Sequence, residues 1–310
     1  MDKLIYQDIL ICPECLESNF EFNISNNKLI CKSCNREYQV KNSVPIMLIK
    51  DKQQKQIIKE QEQNFSVVSP ETFDYVNHYQ KDAYVFDYFE ERTGATQHSE
   101  RRIREYIKSK APKNVRNILD VGSGSAWVAG EFCPLGTNVY SIDISLKNTI
   151  TALEKYPFEN HYAIVADAFL LPFKENTFDC IIASEIIEHV VDPEGFVKCL
   201  FKVLKPGGIL LGSTPYKEKI KYMLCVHCNK MTPQSAHINS FDENRLLKII
   251  EDKYIDSFNY YRFGNKVLIY LRTYVFLKIF SFRLWKIIDK IFNRIYFSAS
   301  TILVRWVKKH

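Results

Sequence analysis

The chain has 310 residues, of which 46% are hydrophobic and 25% charged, enough to bury a full α/β core with room for small appendages. Its formal charge of +6 is an average of unlike parts: residues 272–310 hold nine Lys/Arg and one acid, and the other 271 residues sum to −2. No apolar segment follows a basic start, which argues against a secretion signal, and nine cysteines without one point to a reducing, cytoplasmic setting and to metal rather than disulfides.

Chain order begins with Cys12-Pro-Glu-Cys15 and Cys31-Lys-Ser-Cys34, a CxxC pair separated by 15 residues. Each CxxC turn offers two thiolates, and four close a tetrahedral structural zinc site with no open position. Residues 20–24 and 28–30 read as strands joined by a turn at 25–27. The segment 1–48 is similar to the small zinc-ribbon domains that occur alone or fused ahead of methyltransferases. A ribbon this small depends on its metal for most of its folding energy. Residues 50–64 are polar with little apolar period and read as an exposed helix or tether. Residues 73–89 carry Phe73, Tyr75, Tyr79, Tyr84, Phe86, Tyr88 and Phe89. They are read either as a lid over a pocket or as a helix packing aromatics on the sheet. Together, residues 49–98 form a linker and aromatic lid. The charged helix at 100–110 is read as scaffold.

The densest signal follows. Residues 118–121 form an apolar strand that runs into Gly122-Ser-Gly124, and Asp143 lies 21 residues beyond Gly122 at the end of a second strand, 138–143. This is the spacing of a βαβ unit that lets backbone approach an adenosine-containing ligand while an acid takes ribose hydroxyls. Ala126 and Trp127 stand where a dinucleotide-binding turn needs its last glycine, which argues against a pyrophosphate and for an adenosyl ligand without phosphates. A third strand ends at Asp167-Ala168, and a fourth, 178–185, is read as buried on both faces from its central apolar run. Glu188-His189 follows it, then a helix carrying Phe196, Leu200 and Leu204, the turn 205–208 and a fifth strand, 209–215. Alternating strands and helices imply a doubly wound, mainly parallel sheet in an α/β fold.

In order, LDVGSGSA, YSIDIS, ADAFLLPFKENTFDCIIASEIIEHVVDP and LKPGGILLGSTP resemble the class I S-adenosylmethionine-dependent methyltransferases, over roughly residues 100–260. The resemblance implies a Rossmann-like domain, 99–271, and assigns roles. Gly122 and Gly124 lie against the methionine end of the cofactor, with Asp120 receiving its ammonium group. Asp143 takes the ribose hydroxyls, Asp167 the adenine amino group, and Ala168 gives its N–H to the ring. Ser184 and Glu185 stand beside the sulfonium and the acceptor. A hydroxyl acceptor needs a general base, because a neutral alcohol is a poor nucleophile. Glu188 and His189 are the candidates, and His189 has the better pKa for the task. His161, His78 and His98 lack motif context and are expected at the surface. Cys133, Cys180 and Cys199 read as core thiols.

Inserted at 216–241 is Cys225-Val-His-Cys228, followed nine residues later by His237. Three readings stand: a second zinc site through Cys225, Cys228 and His237, an acceptor pocket using His237 without metal, and structure only. From residue 274 the chain is basic and apolar together, with Lys278, Arg283, Lys286, Asp289, Lys290 and Arg294 on one helical half and Leu277, Phe280, Leu284, Trp285, Ile287, Ile288, Ile291, Phe292 and Ile295 on the other. No run reaches the roughly 18 apolar residues of a membrane span. The tail, 272–310, is read as an amphipathic helix lying on an anionic inner membrane face, with a helix packed on the domain as the competing reading. The expected function is methyl transfer from S-adenosylmethionine to a small-molecule or lipid- or glycan-linked acceptor at a membrane surface, with zinc in the ribbon. RNA methylation through ribbon and tail is the alternative class, and a non-catalytic adaptor a third. Against RNA, the ribbon is nearly neutral, and phosphate tracking does not need the tail's apolar face.

Overall fold

A computed structural model describes residues 7–49, 73–225, 229 and 231–310. The tether expected at 50–64 and Cys228 lie outside the described residues. The chain divides into two compact units, Met1–Phe89 with Gly122–Thr177 and Glu90–Val121 with Phe178–His310. Each is taken by itself.

In the first unit, strands β1 (Phe20–Asn23), β2 (Lys28–Cys31), β3 (Glu37–Lys41) and β4 (Val44–Pro45) form an antiparallel sheet in chain order. Alternation in β3 buries Tyr38 and Val40 and exposes their neighbours, the period-2 pattern of a one-sided sheet. The ribbon is not hinged freely. Met47 N–H donates to Val165 O at 2.8 Å, Ile11 N–H donates to Pro172 O at 3.0 Å, and Val44 packs with Ala163 and Val165. The ribbon boundary drawn at residue 48 therefore crosses continuous packing.

The remaining strands are β5 (Asn117–Val121), β6 (Asn138–Asp143), β7 (His161–Val165), β8 (Phe178–Ser184) and β9 (Leu204–Pro215), then β10 (Tyr222–Leu224), β11 (Met231–Pro233), β12 (Ile255–Asn265) and β13 (Ala299–Lys308). In the second unit the strands lie in the order β12-β13-β9-β8-β5. In the first unit β6 and β7 pair in parallel from Val139↔His161 to Asp143↔Val165. The helix that follows β6, Leu146–Lys155, starts at Ser145, whose hydroxyl accepts from Asn148 N–H, the usual answer to an unpaired first-turn amide.

In the second unit β5 and β9 flank β8 in parallel, as the fourth strand's apolar run requires. β13 then lies antiparallel between β9 and β12. This corrects the reading of residues 272–310 as one helical tail. Phe282–Ile295 is helical, capped by the Ser281 hydroxyl, but residues 299–308 are a buried strand carrying Trp306, among the largest fully buried side chains. The run Ser-Thr-Ile-Leu-Val is β-branched and apolar, which suits a strand covered on both faces. A truncation after Leu271 would remove a strand with partners on both sides.

Two histidines expected at the surface are buried. His161 Nδ1 lies 2.8 Å from Tyr156 O and its Nε2 lies 3.1 Å from Ser141 Oγ. His98 sits under the Phe282–Ile295 helix, with ring centroids 6.1 Å from Trp285. His78 is exposed, as expected.

Candidate active site

The first unit builds one corner from the glycine turn and the ends of β6 and β7. Gly122 and Gly124 take positive φ, 62° and 46°, where a side chain is strained. A Cβ on Gly124 would also meet the Tyr88 ring at 3.2 Å. Ser123 N–H donates to Ile142 O at 2.9 Å, which fixes the turn on β6. Asp143 at the strand end is held by this turn. Its Oδ2 accepts from Gly124 N–H at 3.0 Å and its Oδ1 from Ser145 N–H at 2.8 Å. Burial raises its pKa, and the two backbone amides oppose that rise. Ala126, in the place of the usual glycine, is buried and left-handed at φ 51°, so alanine accepts the glycine conformation at a cost of about 1 kcal/mol.

Asp167 closes the same corner. Its Oδ1 accepts from Phe169 N–H at 2.9 Å, and its Oδ2 accepts from the Tyr75 hydroxyl at 2.5 Å. Tyr75 opens the helix Tyr75–Val85, whose cap is Asp74, and the Tyr88 hydroxyl donates to Asp82 at 2.7 Å. Within residues 73–89, Tyr75 thus reaches Asp167 and Tyr88 lies against Gly124. Ala168, half-buried, follows Asp167 directly.

In the second unit, Asp120 is buried at the end of β5. At the end of β8 the Ser184 hydroxyl lies 3.0 Å from that of Ser213, and Glu185 takes φ 55°, a strained backbone for a non-glycine residue of the kind that gathers at functional sites. Burial raises the Glu185 carboxyl to about 7, against lowering by Ser213 and His237. Glu188 is deeper. Burial first and the Glu185 charge second hold its carboxyl well above the usual range. The Thr214 hydroxyl beside it opposes that rise, although neither carboxyl oxygen reaches full hydrogen-bond geometry.

Glu188, His189 and His237 each bring one ligand atom within 4.8 Å of the others. The loop carrying His237 is tied there by Ile238 and Asn239, whose N–H groups donate to Glu188 O at 2.9 and 3.0 Å. His189 Nδ1 lies 3.2 Å from Ala236 O, and His237 Nδ1 lies 2.5 Å from Glu218 Oε2. A ring nitrogen facing a carbonyl or carboxylate carries the proton, which leaves Nε2 of both rings as the lone-pair nitrogen. Two imidazoles oriented through Nδ1 beside an unpaired buried carboxylate form a donor set that fits a divalent cation or an acidic acceptor proton. Sequence reasoning named Glu188, His189 and His237 separately. It did not anticipate their meeting, nor Glu218 and Thr214, for which no local motif exists.

The four ribbon cysteines converge. Cys12 Sγ lies 3.6 Å from Cys34 Sγ and Cys15 Sγ 3.5 Å from Cys31 Sγ, and the four sulfurs lie within 4.8 Å of one another. Both CxxC turns end in the same way: Leu16 N–H donates to Cys12 O, Asn35 N–H donates to Cys31 O, and both residues have positive φ. Although burial raises the Cys31 thiol, the N–H groups of Cys34 and Ser33 bring it down to about 7. Four sulfurs at this separation fit a tetrahedral zinc.

Residues 119–212 match the model of a family described as a methyltransferase domain. The chain is 34% identical over 119 residues to the mitochondrial ubiquinone biosynthesis O-methyltransferase of Bos taurus, covering 36% of this chain and 32% of that one. It is 30% identical over 141 residues to the ubiquinone biosynthesis O-methyltransferase of Ralstonia nicotianae, covering 43% and 59%. The chain thus spans less than two thirds of the length of these relatives. Among solved structures, the PH0226 protein of Pyrococcus horikoshii aligns with a TM-score of 0.51 at 15% identity, over 74% of this chain and 99% of that one. Its likeness concerns the fold. Residues 119–212 are thus identified as a methyltransferase domain of the S-adenosylmethionine-dependent kind.

Proposed function

We propose that the protein transfers the methyl group of S-adenosylmethionine to a hydroxyl of a small, quinone-like or lipid-linked acceptor met at a membrane surface. The observation that carries this reading is the buried, unpaired Glu188 carboxylate beside two imidazoles whose Nε2 atoms are the lone-pair positions. A phenol or alcohol must lose a proton to attack a methyl sulfonium, and this group of side chains can hold that proton or a cation that replaces it. The names of the similar proteins, O-methyltransferases of ubiquinone biosynthesis, agree with an oxygen acceptor.

Roles follow from the chemistry. Methyl transfer is an in-line displacement, so the protein mainly positions two reactants and excludes water. Asp143, already organised by two backbone amides, presents its remaining acceptor capacity to the ribose hydroxyls. Asp120 receives the ammonium group. Asp167 and Ala168 serve the adenine edge, where the Tyr75 hydroxyl now stands on Asp167. A divalent cation on Glu188, His189 and His237 would supply Lewis acidity to the acceptor hydroxyl. In its absence His189 Nε2, held by Ala236 O through Nδ1, is the proton acceptor. His237, oriented by Glu218, serves this site in the reading, and Cys225 and Cys228 are left without a role. The ribbon quartet holds a structural zinc. An RNA acceptor is not favoured.

Labelled methyl transfer by the purified full chain tests the proposal, with catechols, isoprenoid catechols and RNA offered in parallel. The expected outcome is label in the catechols with or without added divalent cation. Label in RNA alone contradicts it. Elemental analysis tests the ribbon: about one zinc per chain is expected, lost when Cys31 and Cys34 are replaced by serine.

A further inference from the structure

The Phe282–Ile295 helix docks by an unexpected side. Trp285 lies edge-on to Phe263 and Tyr106, with the Arg102 guanidinium 4.9 Å from its ring centre. Asp289 Oδ1 accepts from Asn265 N–H at 2.7 Å, and Asn293 Oδ1 accepts from Asn265 Nδ2 at 3.0 Å. The aromatic and polar row 285, 289, 293 therefore faces the sheet. As a result the aliphatic row faces water: Leu284, Ile287, Ile291 and Ile295 are 45%, 55%, 51% and 78% exposed. Just before the helix, Phe276 and Ile279 are 73% and 76% exposed.

At the helical period, Arg283, Lys290 and Arg294 form the row beside this aliphatic one, and all three are exposed. Asp289, the acid of the helix, is turned inward. An exposed apolar row of this extent marks an interaction surface. A cationic row on its flank, with no exposed acid in the helix, selects an anionic partner, and a continuous aliphatic strip suits acyl chains. No helix among the described residues is long and apolar enough to cross a membrane.

We infer that the outer face of the Phe282–Ile295 helix, extended by Phe276 and Ile279, is a docking surface for an anionic lipid bilayer. The helix lies in the interface, with Leu284, Ile287, Ile291 and Ile295 towards the acyl chains and Arg283, Lys290 and Arg294 on phosphate-bearing headgroups. This deepens the membrane-surface reading above and rests on it for its purpose, while the docking itself is read from the helix alone. The strand that follows holds the helix in place from its far end, since β13 is paired on both sides.

Vesicle flotation of the full chain tests it, with phosphatidylcholine alone and with phosphatidylcholine containing phosphatidylglycerol. Three proteins are compared: wild type, I287Q/I291Q, and R283Q/K290Q/R294Q. Wild type should float with the anionic vesicles and stay down with the neutral ones. The triple variant should lose roughly a hundredfold in partitioning, given the contribution of each interfacial cation. The double variant should fail to float. Both variants should keep wild-type binding of S-adenosylhomocysteine, which shows that they are folded. Wild type that stays at the bottom with anionic vesicles overturns the inference, as does a double variant that floats like wild type. If wild type sediments as a dimer, does not float, and I287Q/I291Q makes it a monomer, the face is covered by a second copy and the inference is equally overturned. Methyl transfer to a water-soluble catechol, measured on the same samples, keeps the two readings apart: turnover without flotation removes only the docking, and flotation without turnover removes only the acceptor reading.

Discussion

Asp143, half-buried, and Glu188, buried, are both carboxylates placed at or just beyond the ends of strands, yet their surroundings are opposite. Asp143 is held by Gly124 N–H, Ser145 N–H and the Asn148 amide, all from the chain within five residues or the adjoining turn. Glu188 has neither oxygen in full hydrogen-bond geometry, and the groups around it are another carboxylate and two imidazoles. The first corner is complete before any ligand arrives. The second is costly as it stands, because an unpaired buried polar group loses its hydration for nothing in return. On the function proposed above, the donor's corner serves placement and the Glu188 corner serves chemistry.

Four changes break or sharpen this contrast. The largest effect should come from Glu188→Ala: turnover falls by roughly 10²–10⁴, the range of a lost acid–base group, while thermal stability holds or rises because an unpaired carboxylate is gone. Unchanged turnover in single-turnover kinetics would remove Glu188 from the reaction. Next, Asp143→Ala should weaken S-adenosylmethionine in equilibrium dialysis by about 1.5–3 kcal/mol, the loss of hydrogen bonds to a charged group, and should also loosen the turn at Gly124. Wild-type affinity would contradict the donor assignment.

A third buried group lies away from both corners and separates unpaired burial from function. Burial, with Arg102 and Arg101 nearby, lowers the His98 pKa to about 4 from its ordinary 6.5. The folded state therefore favours neutral His98. Its contribution to stability is present above pH 6.5 and is lost as pH falls from 6.5 towards 4, where the unfolded chain takes up the proton first. The loss should be about 1–2 kcal/mol. Urea midpoints measured across that window should fall for wild type and flatten for His98→Gln, with turnover unaffected. A parallel pH slope in the variant would contradict the assignment. The smallest effect belongs to Ala126→Gly. Relief of the left-handed alanine and the added freedom of the unfolded glycine nearly offset each other, so unfolding free energy should move by less than about 1 kcal/mol. A larger loss, read by denaturant titration, would mean that the Ala126 methyl is needed for packing.

What could be read from sequence follows the range of the interactions. The strands, the glycine turn, Asp143, Asp167 and the cysteine quartet depend on neighbours a few residues away or on spacing, and they stand where expected. The partners of His237 do not have that property. Glu218 and His189 reach it only once β8, β9 and the 216–241 insertion are folded together, so the residue was assignable to either the cysteine pair or the acceptor. β13 was hidden because a basic amphipathic pattern at 282–295 invites extension of the helix past residue 298. The docked side of that helix was hidden for a related reason. Hydropathy divides Ile287 and Ile291 from Lys286 and Asp289, but it cannot show that Asn265 N–H, from another element, takes Asp289 as its acceptor and so turns the aliphatic row outward.

The most direct test of the central claim is a calorimetric titration of S-adenosylhomocysteine into the wild-type protein and into Glu188→Ala. The account predicts binding to wild type and the same affinity in Glu188→Ala, because the donor is held by the turn, Asp143 and Asp167 and not by the Glu188 group. Absence of binding heat with wild type at several temperatures, or a loss of affinity in Glu188→Ala as large as that expected for Asp143→Ala, would contradict it.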